Sequence, residues 1–430
     1  MIFALIGFAV VLVLAFMRMP LGVALGLVGL VGFAELSNYR AGMSNAARLV
    51  IDSGQSYGLS VVPLFILMGL MVDRGGMARE LYAAAYAFLG HRKGGLAMST
   101  IVACGMFSAI CGSSLATAAT MSKVSMPEMR RYKYDDSLAT ASIAAGGTLG
   151  ILIPPSVILV IYGLITNASV GKLFIAGVLP GVLGVLFYLG AVFFVVSRNP
   201  DAGPAGEKSD WGARLVALRD VWTTLGLFIF VIGGIYVGAF TPTEAAGMGA
   251  AGAIAIAYFR GALSWKVLME VARETTLTTA KLFLVVFGAM VFSNFVNRAG
   301  LPDALLNLAQ SFDVPPIGVI FVILLIYLLL GCVFESLSMI LLTVPIFAPL
   351  VQGLGFDLIW FGILVVVATE ISLITPPIGM NVFVLKGVLK DVSVGTIFKG
   401  VTPFWIADIF RILVIALIPG LALWLPSMMH

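Results

Sequence analysis

Charge is scarce in this sequence: Asp, Glu, Lys and Arg make up 11% of its 430 residues, against a hydrophobic share of 60%. Soluble globular domains run near a quarter charged, so a water-soluble domain is excluded. A mean hydropathy of +1.09 is that of an integral membrane protein. Histidine is nearly missing; His91 lies in a basic loop and His430 at the terminus, and neither can join a metal or catalytic cluster. The three cysteines, Cys104, Cys111 and Cys332, fall in apolar stretches without metal-ligand spacing and read as buried packing residues. No Gly-x-x-x-x-Gly-Lys-Ser/Thr loop occurs, which argues against ATP hydrolysis by this chain. His-Glu-x-x-His is absent too, no serine has a histidine partner at membrane depth, and Tyr134-Asp135 has no Gly-x-Gly-Asp counterpart. An intramembrane enzyme is therefore disfavoured. The net charge of +4 resides in loops, where it reports topology and contact with anionic lipid; it gives no reason to expect nucleic acid.

What is present is a succession of apolar segments of roughly 17 to 25 residues, the signature of membrane-spanning helices and not of β-barrel strands. The spans fall at about 2–17 (a retained span, with no basic n-region or cleavage site), 21–36, 59–72, a broken segment at 137–166, and 173–196. In the second half they fall at 221–239, 245–258, 277–295, a broken segment at 358–389, and 404–425. Each half also carries an apolar hairpin, at about 96–122 and 317–350. The predicted fold is all-α and polytopic, with a first repeat over 1–197, a solvated cytoplasmic linker over 198–220 and a second repeat over 221–430. Polar amphipathic stretches at 37–57 and 263–276 fit interfacial helices or connecting loops.

Re-entrant hairpins would leave each half with an odd number of crossings, so the halves would run in opposite senses. With both termini in the periplasm, roughly twenty of the 25 basic residues fall in the cytoplasm, as the positive-inside rule requires. Short matches support duplication: Gly69-Leu70-Met71-Val72 with Gly288-Ala289-Met290-Val291, and Ser169-Val170-Gly171 with Ser393-Val394-Gly395.

The helix interruptions recur in both halves. Gly112-Ser113-Ser114 is followed by Pro154-Pro155-Ser156, and Phe334-Glu335-Ser336 by Thr375-Pro376-Pro377. Backbone polar groups inside hydrocarbon need partners, so such breaks persist only where protein or a water-filled cavity surrounds them. Matching breaks in two halves mark the binding site of a secondary transporter. Carbonyls freed at a helix C-terminus suit a hard cation, and amides at a helix N-terminus suit a carboxylate. Proline keeps the break open because it donates no amide proton. The small, hydroxyl-rich run from Gly112 to Thr120 could equally serve helix packing. Glu335 could bind sodium or a proton, or cap the second hairpin arm; Glu370 could be functional or a buried hydrogen-bond partner. Asp408 and Arg411 share a helix face, as an internal pair or a substrate contact, and Thr241 with Glu244 fits a capping box.

Taken together, Gly112-Ser113-Ser114, Ile153-Pro154-Pro155-Ser156 and Thr375-Pro376-Pro377-Ile378-Gly379-Met380-Asn381 resemble the large (DctM-like) membrane subunit of tripartite ATP-independent periplasmic (TRAP) transporters, within the ion-transporter superfamily. The resemblance implies a sodium-coupled elevator that imports organic anions such as C4-dicarboxylates or sialic acid across the bacterial inner membrane. It implies two partners as well, a small four-span membrane subunit and a periplasmic binding protein. By the same resemblance, sodium ions, two or more, would be held by Gly112, Ser114, Thr117, Gly147 and Thr148 and by Glu335, Ser336, Ser338, Thr375 and Pro376. Substrate would meet Ser113, Ser114, Pro155, Ser156, Ser336, Gly379 and Asn381. Two sodium ions entering with a monoanion move one net positive charge, worth about 2.3 kcal/mol per 100 mV. A standalone sodium-coupled carboxylate symporter of the superfamily is the nearest alternative, and a passive channel is disfavoured because tips meeting at the midplane imply an occluded site.

Overall fold

The computed structural model describes residues 2–311, 315–332 and 334–429, so His430 lies outside the described residues. Among these, all regular structure is helical. The first half contains α1 (Ile2–Phe16), α2 (Leu21–Leu36), α3 (Tyr39–Gly54), α4 (Val61–Arg74), α5 (Met77–Leu89), α6 (Gly95–Cys111), α7 (Ser114–Arg131), α8 (Asp136–Thr148), α9 (Val157–Thr166) and α10 (Val170–Arg198). The second contains α11 (Trp211–Tyr236), α12 (Pro242–Phe259), α13 (Trp265–Arg298), α14 (Leu301–Ser311), α15 (Pro316–Gly331), α16 (Ser336–Gly353), α17 (Leu358–Ser372), α18 (Met380–Val388), α19 (Val394–Leu417) and α20 (Gly420–Ser427). Among the described residues, six helices are long and apolar enough to cross a membrane, including α10, α11, α13 and α19. Exposed Phe193, Leu186 and Trp222 suit a lipid-facing surface.

Several boundaries differ from those the sequence suggests, each for a local reason. The polar stretch at 263–276 is no separate interfacial helix: it runs straight into α13, because no proline or glycine interrupts the chain from Trp265 until Gly288. The 34 residues of α13 span about 51 Å at 1.5 Å per residue. In the first half, α3 is a distinct helix, opened by the Asn38 side chain accepting from Ala41 N at 2.8 Å. The linker is largely exposed but tied down at Ala202 and Gly203. Asp210 accepts from Ala213 N at 2.8 Å and starts α11 within the linker, while Gly203 O and Ala202 O accept from Gly94 N and Asp135 N at 2.8 and 3.0 Å. The first hairpin's second arm continues to Arg131, and the last span starts at Val394 and stops at Leu417, just before Pro419. Helices α5 and α14 give no span in the sequence pattern, because polar residues such as Arg79, Glu80, Asp303 and Asn307 interrupt their apolar faces.

The two halves share their order of elements and exchange their packing partners. Helix α2 packs on α13, and their counterparts α12 and α4 pack on each other; likewise α7 contacts α18, and α16 contacts α9. Direction follows from the contacts. Gly22, Gly26 and Gly29 of α2 lie against Leu284, Gly288 and Phe292 in turn, so α2 and α13 run parallel; Gly247 and Gly249 against Leu64 and Met68 make α12 parallel to α4. Arg74 at the end of α4 pairs with Glu270 and Glu274 at the start of α13, both at 3.5 Å, and Ser53, just before α4, touches Met290 late in α13. Thus α4 opposes its counterpart α13, and α2 opposes α12. This is inverted topology, read directly from packing.

The sequence matches occupy equivalent places in this pattern. Ser169 and Ser393 cap α10 and α19, accepting from Lys172 N at 3.4 Å and Thr396 N at 3.0 Å. Thr241 and Glu244 form the expected capping box at the start of α12. Both proline pairs, Pro154–Pro155 and Pro376–Pro377, are cis.

Candidate functional site

Each hairpin turns back at a helix-breaking tip. Gly112 ends α6 in a left-handed conformation, φ +65°, where a side chain would be disfavoured. Ser113 then adopts extended backbone and accepts from Ala116 N at 3.3 Å, starting α7. The open end of this hairpin is closed by Leu96 N donating to Tyr134 Oη at 3.1 Å, so α7 returns to the side from which α6 departed. In the second hairpin, Thr343 Oγ1 donates to Tyr327 Oη at 2.7 Å across the two arms. Both tips meet the breaks of the split helices: the Gly112 backbone lies against Pro155 O, and Cys332 Sγ approaches Pro376 O at 3.6 Å.

Between the tips lies a cavity of about 470 Å³. Gly112 to Ala116 and Glu335 to Ser338 form two of its walls, with Ile151, Val157, Ile158 and Leu373 behind them. The starts of α7 and α16 therefore converge on one space. Helix starts present unbonded N–H groups and positive partial charge, which suits an anion. The facing wall comes from α4 and α13 and includes a polar stripe, Glu274, Thr278 and Lys281. Those three positions are spaced four and three residues apart, so they share one helix face. Lys281 is the single basic residue among the lining residues. This stripe escaped the sequence reading, although three polar residues at helical spacing in an apolar span were there to be seen.

The expected site residues divide into groups. Gly112, Ser113, Ser114, Glu335, Ser336 and Ser338 line the cavity. Ser114 also ties the halves together: its hydroxyl and the Asn381 amide lie at 2.8 Å, and Asn381 Nδ2 donates to Ala144 O at 2.9 Å. Asn381 is fully buried by these contacts and is not part of the cavity lining. Gly147 packs α8 on α7, since a Cβ there would meet Ser114 O at 3.2 Å. Thr117 is fully buried, its hydroxyl without a hydrogen-bond partner among the described residues. Pro155 O faces the first tip, while the Ser156 hydroxyl donates to Ile151 O and accepts from Leu159 N at 3.2 Å, capping α9. Thr375 Oγ1 donates to Ile371 O at 2.6 Å, and Pro376 O faces Cys332. Gly379, at φ +57°, opens α18 beside Phe398.

The geometry bears on two alternatives left open by the sequence. Glu335 stands at the N-cap of α16 but its carboxylate makes no capping hydrogen bond; it faces the cavity. Asp408 and Arg411 form an internal pair at 3.1 Å, joined by Glu370 at 2.5 Å, and all three are fully buried. Thr148 belongs to this cluster and not to the cavity lining, through Tyr188 at 3.0 Å.

Comparison with known proteins follows the same lines as the geometry. The model for the family described as "Tripartite ATP-independent periplasmic transporter, DctM component" matches residues 8–421. The chain is 35% identical to the C4-dicarboxylate TRAP transporter large permease protein DctM of Pseudomonas aeruginosa, over 88% of each chain. It is 32% identical to the sialic acid large permease SiaM of Vibrio cholerae over 96% of each, and 32% identical to the ectoine large permease TeaC of Halomonas elongata over 94% and 95%. Among solved structures, the YdaH transporter of Alcanivorax borkumensis superposes with a TM-score of 0.65 over 88% of this chain and 89% of that one, at 15% identity, a likeness of fold.

Proposed function

Since this chain belongs to the DctM family of TRAP transporter large permease subunits, a transport family and not an enzyme family, we propose that it imports a carboxylate-bearing solute coupled to sodium. The observation carrying this reading is the convergence of two helix starts on one cavity whose only lining basic side chain is Lys281. Helix N-termini and an ammonium group favour a carboxylate, whereas carbonyl-rich helix ends at Gly112 and Pro376 suit sodium. The names of the relatives point to C4-dicarboxylates, sialic acid and ectoine as the solutes to test, all of which carry a carboxylate. The protein would be a multi-pass component of the inner membrane, both termini periplasmic. It would work with a small membrane subunit and a periplasmic binding protein that delivers the solute.

The hairpins and split helices would form the moving body of an elevator, and the parallel pairs α2 with α13 and α4 with α12 its fixed scaffold. The cavity lies between these two groups, and its lining comes from both.

The test is reconstitution into proteoliposomes with a small TRAP membrane subunit and a periplasmic binding protein from the same organism. Uptake of one of these solutes should require both partners and an inward sodium gradient. Sodium-independent uptake would overturn the coupling. Uptake by this chain alone would favour the standalone symporter.

A further inference from the structure

Away from the cavity, five fully buried polar side chains form a continuous chain through the helices behind the tips. Glu370 on α17 contacts Arg411 on α19 at 2.5 Å, and Arg411 contacts Asp408 on the same helix at 3.1 Å. Asp408 Oδ2 lies 2.6 Å from the Tyr188 hydroxyl of α10, which lies 3.0 Å from Thr148 Oγ1 of α8. Thr148 Oγ1 is also 2.8 Å from Ala145 O. All five side chains are fully buried, and none lines the cavity between the tips.

Two independent counts are uneven. The first is charge. Two carboxylates face one guanidinium, and Arg411 is the only basic residue among the buried charged residues described. An uncompensated buried charge costs several kcal/mol, so a cluster left at net −1 is strongly disfavoured. The second is protons. Three oxygen–oxygen contacts run from Asp408 through Tyr188 and Thr148 to Ala145 O, yet the two hydroxyls supply two protons. A third proton, on Asp408 Oδ2, fills all three contacts in one direction: Asp408 donates to Tyr188, Tyr188 to Thr148, and Thr148 to the carbonyl. The same proton brings the cluster to neutrality.

We propose that Asp408 binds one proton at neutral pH, leaving Glu370 and Arg411 as the ion pair and making the cluster an electroneutral proton-holding site that bolts α8 and α10 to α17 and α19. If the body containing it moves as an elevator, as proposed above, the cluster then carries no net charge across the membrane. The electrical signal of transport would come from sodium and solute alone. The proton count itself does not depend on that reading.

Infrared difference spectroscopy of the purified full chain at neutral pH tests this. A protonated carboxylic acid shows a carbonyl stretch, separate from carboxylate bands, that shifts in deuterated water. The wild-type spectrum minus that of Asp408→Asn should show one such band. Glu370→Gln should also lose it, because Asp408 then ionises to pair with Arg411. Tyr188→Phe should keep the band and shift it upward, since the Asp408 proton loses its acceptor. A wild-type spectrum without the band overturns the proposal, and so does a band unmoved in Tyr188→Phe, which would place the proton on Glu370. The wild-type spectrum decides the first point even where a variant fails to fold. Failure of sodium-coupled uptake, in contrast, would leave the band unchanged.

Discussion

Ser114 and Asn381 come from opposite halves of the chain, yet they meet at the first tip, where Asn381 is also held by Ala144 O. Ser114→Ala should remove both Asn381 contacts of that hydroxyl, from Nδ2 and to Oδ1, and cost about 1–3 kcal/mol, the range for a buried polar group that loses its partner. The Thr375 hydroxyl bonds only to the Ile371 carbonyl at the end of α17, so Thr375→Ala should cost less. Both variants should raise the sodium concentration needed for half-maximal uptake by more than their stability loss explains. Thermal unfolding in detergent and sodium titration of uptake measure the two effects separately, and unchanged sodium activation in both would remove these residues from the ion site. Lys281 is an exposed wall residue without an ion pair among the described residues. Lys281→Gln should therefore fold normally while raising the KM for a carboxylate solute severalfold at low salt, an effect smaller at high salt because exposed charges are screened.

Among the helices, α2 and α13 pack backbone against backbone. The Gly288 backbone lies so near Gly22 O that any Cβ at 288 would overlap it, and Gly29 is pressed against Phe292 in the same way. Small residues permit this approach, and dispersion and weak contacts then hold the pair where lipid supplies no hydrophobic drive. Gly288→Val should part the helices and lower thermal stability by more than about 3 kcal/mol, as overpacking at a backbone contact outruns the usual cost of an oversized core side chain. A monodisperse variant with unchanged melting temperature would show that this contact is dispensable. The charged cluster behind the tips behaves differently. Removing Arg411 alone strands the buried Glu370 carboxylate, a loss of about 3–5 kcal/mol by the usual cost of a broken buried pair.

For the whole molecule, the elevator reading requires the tip walls of the cavity to slide past the α13 wall. Cysteines introduced at Ser336 and Val285, both cavity-lining, in a background with Cys104, Cys111 and Cys332 replaced by Ala, should be bridged by a bifunctional thiol reagent. Bridging should arrest uptake, and a reducible linker should restore it on reduction. Full uptake in the bridged protein would leave the two walls fixed relative to each other and end the elevator reading. The sequence alone determined much of this architecture: the membrane class, the hairpins, the two broken helices and the capping of α12. Apolar run length, proline pairs and cap residues are local signals, and a helix in lipid must satisfy its own backbone wherever it lies. Tertiary structure decided what depends on neighbours distant in the chain. It directed Asn381 and Thr148 into internal hydrogen bonds with Ser114 and Tyr188, brought Lys281 onto the cavity wall, and gathered Glu370, Asp408, Arg411 and Tyr188. A side chain's partner across the fold leaves no mark in its own segment, because buried polar groups are satisfied by whichever atoms packing brings within reach.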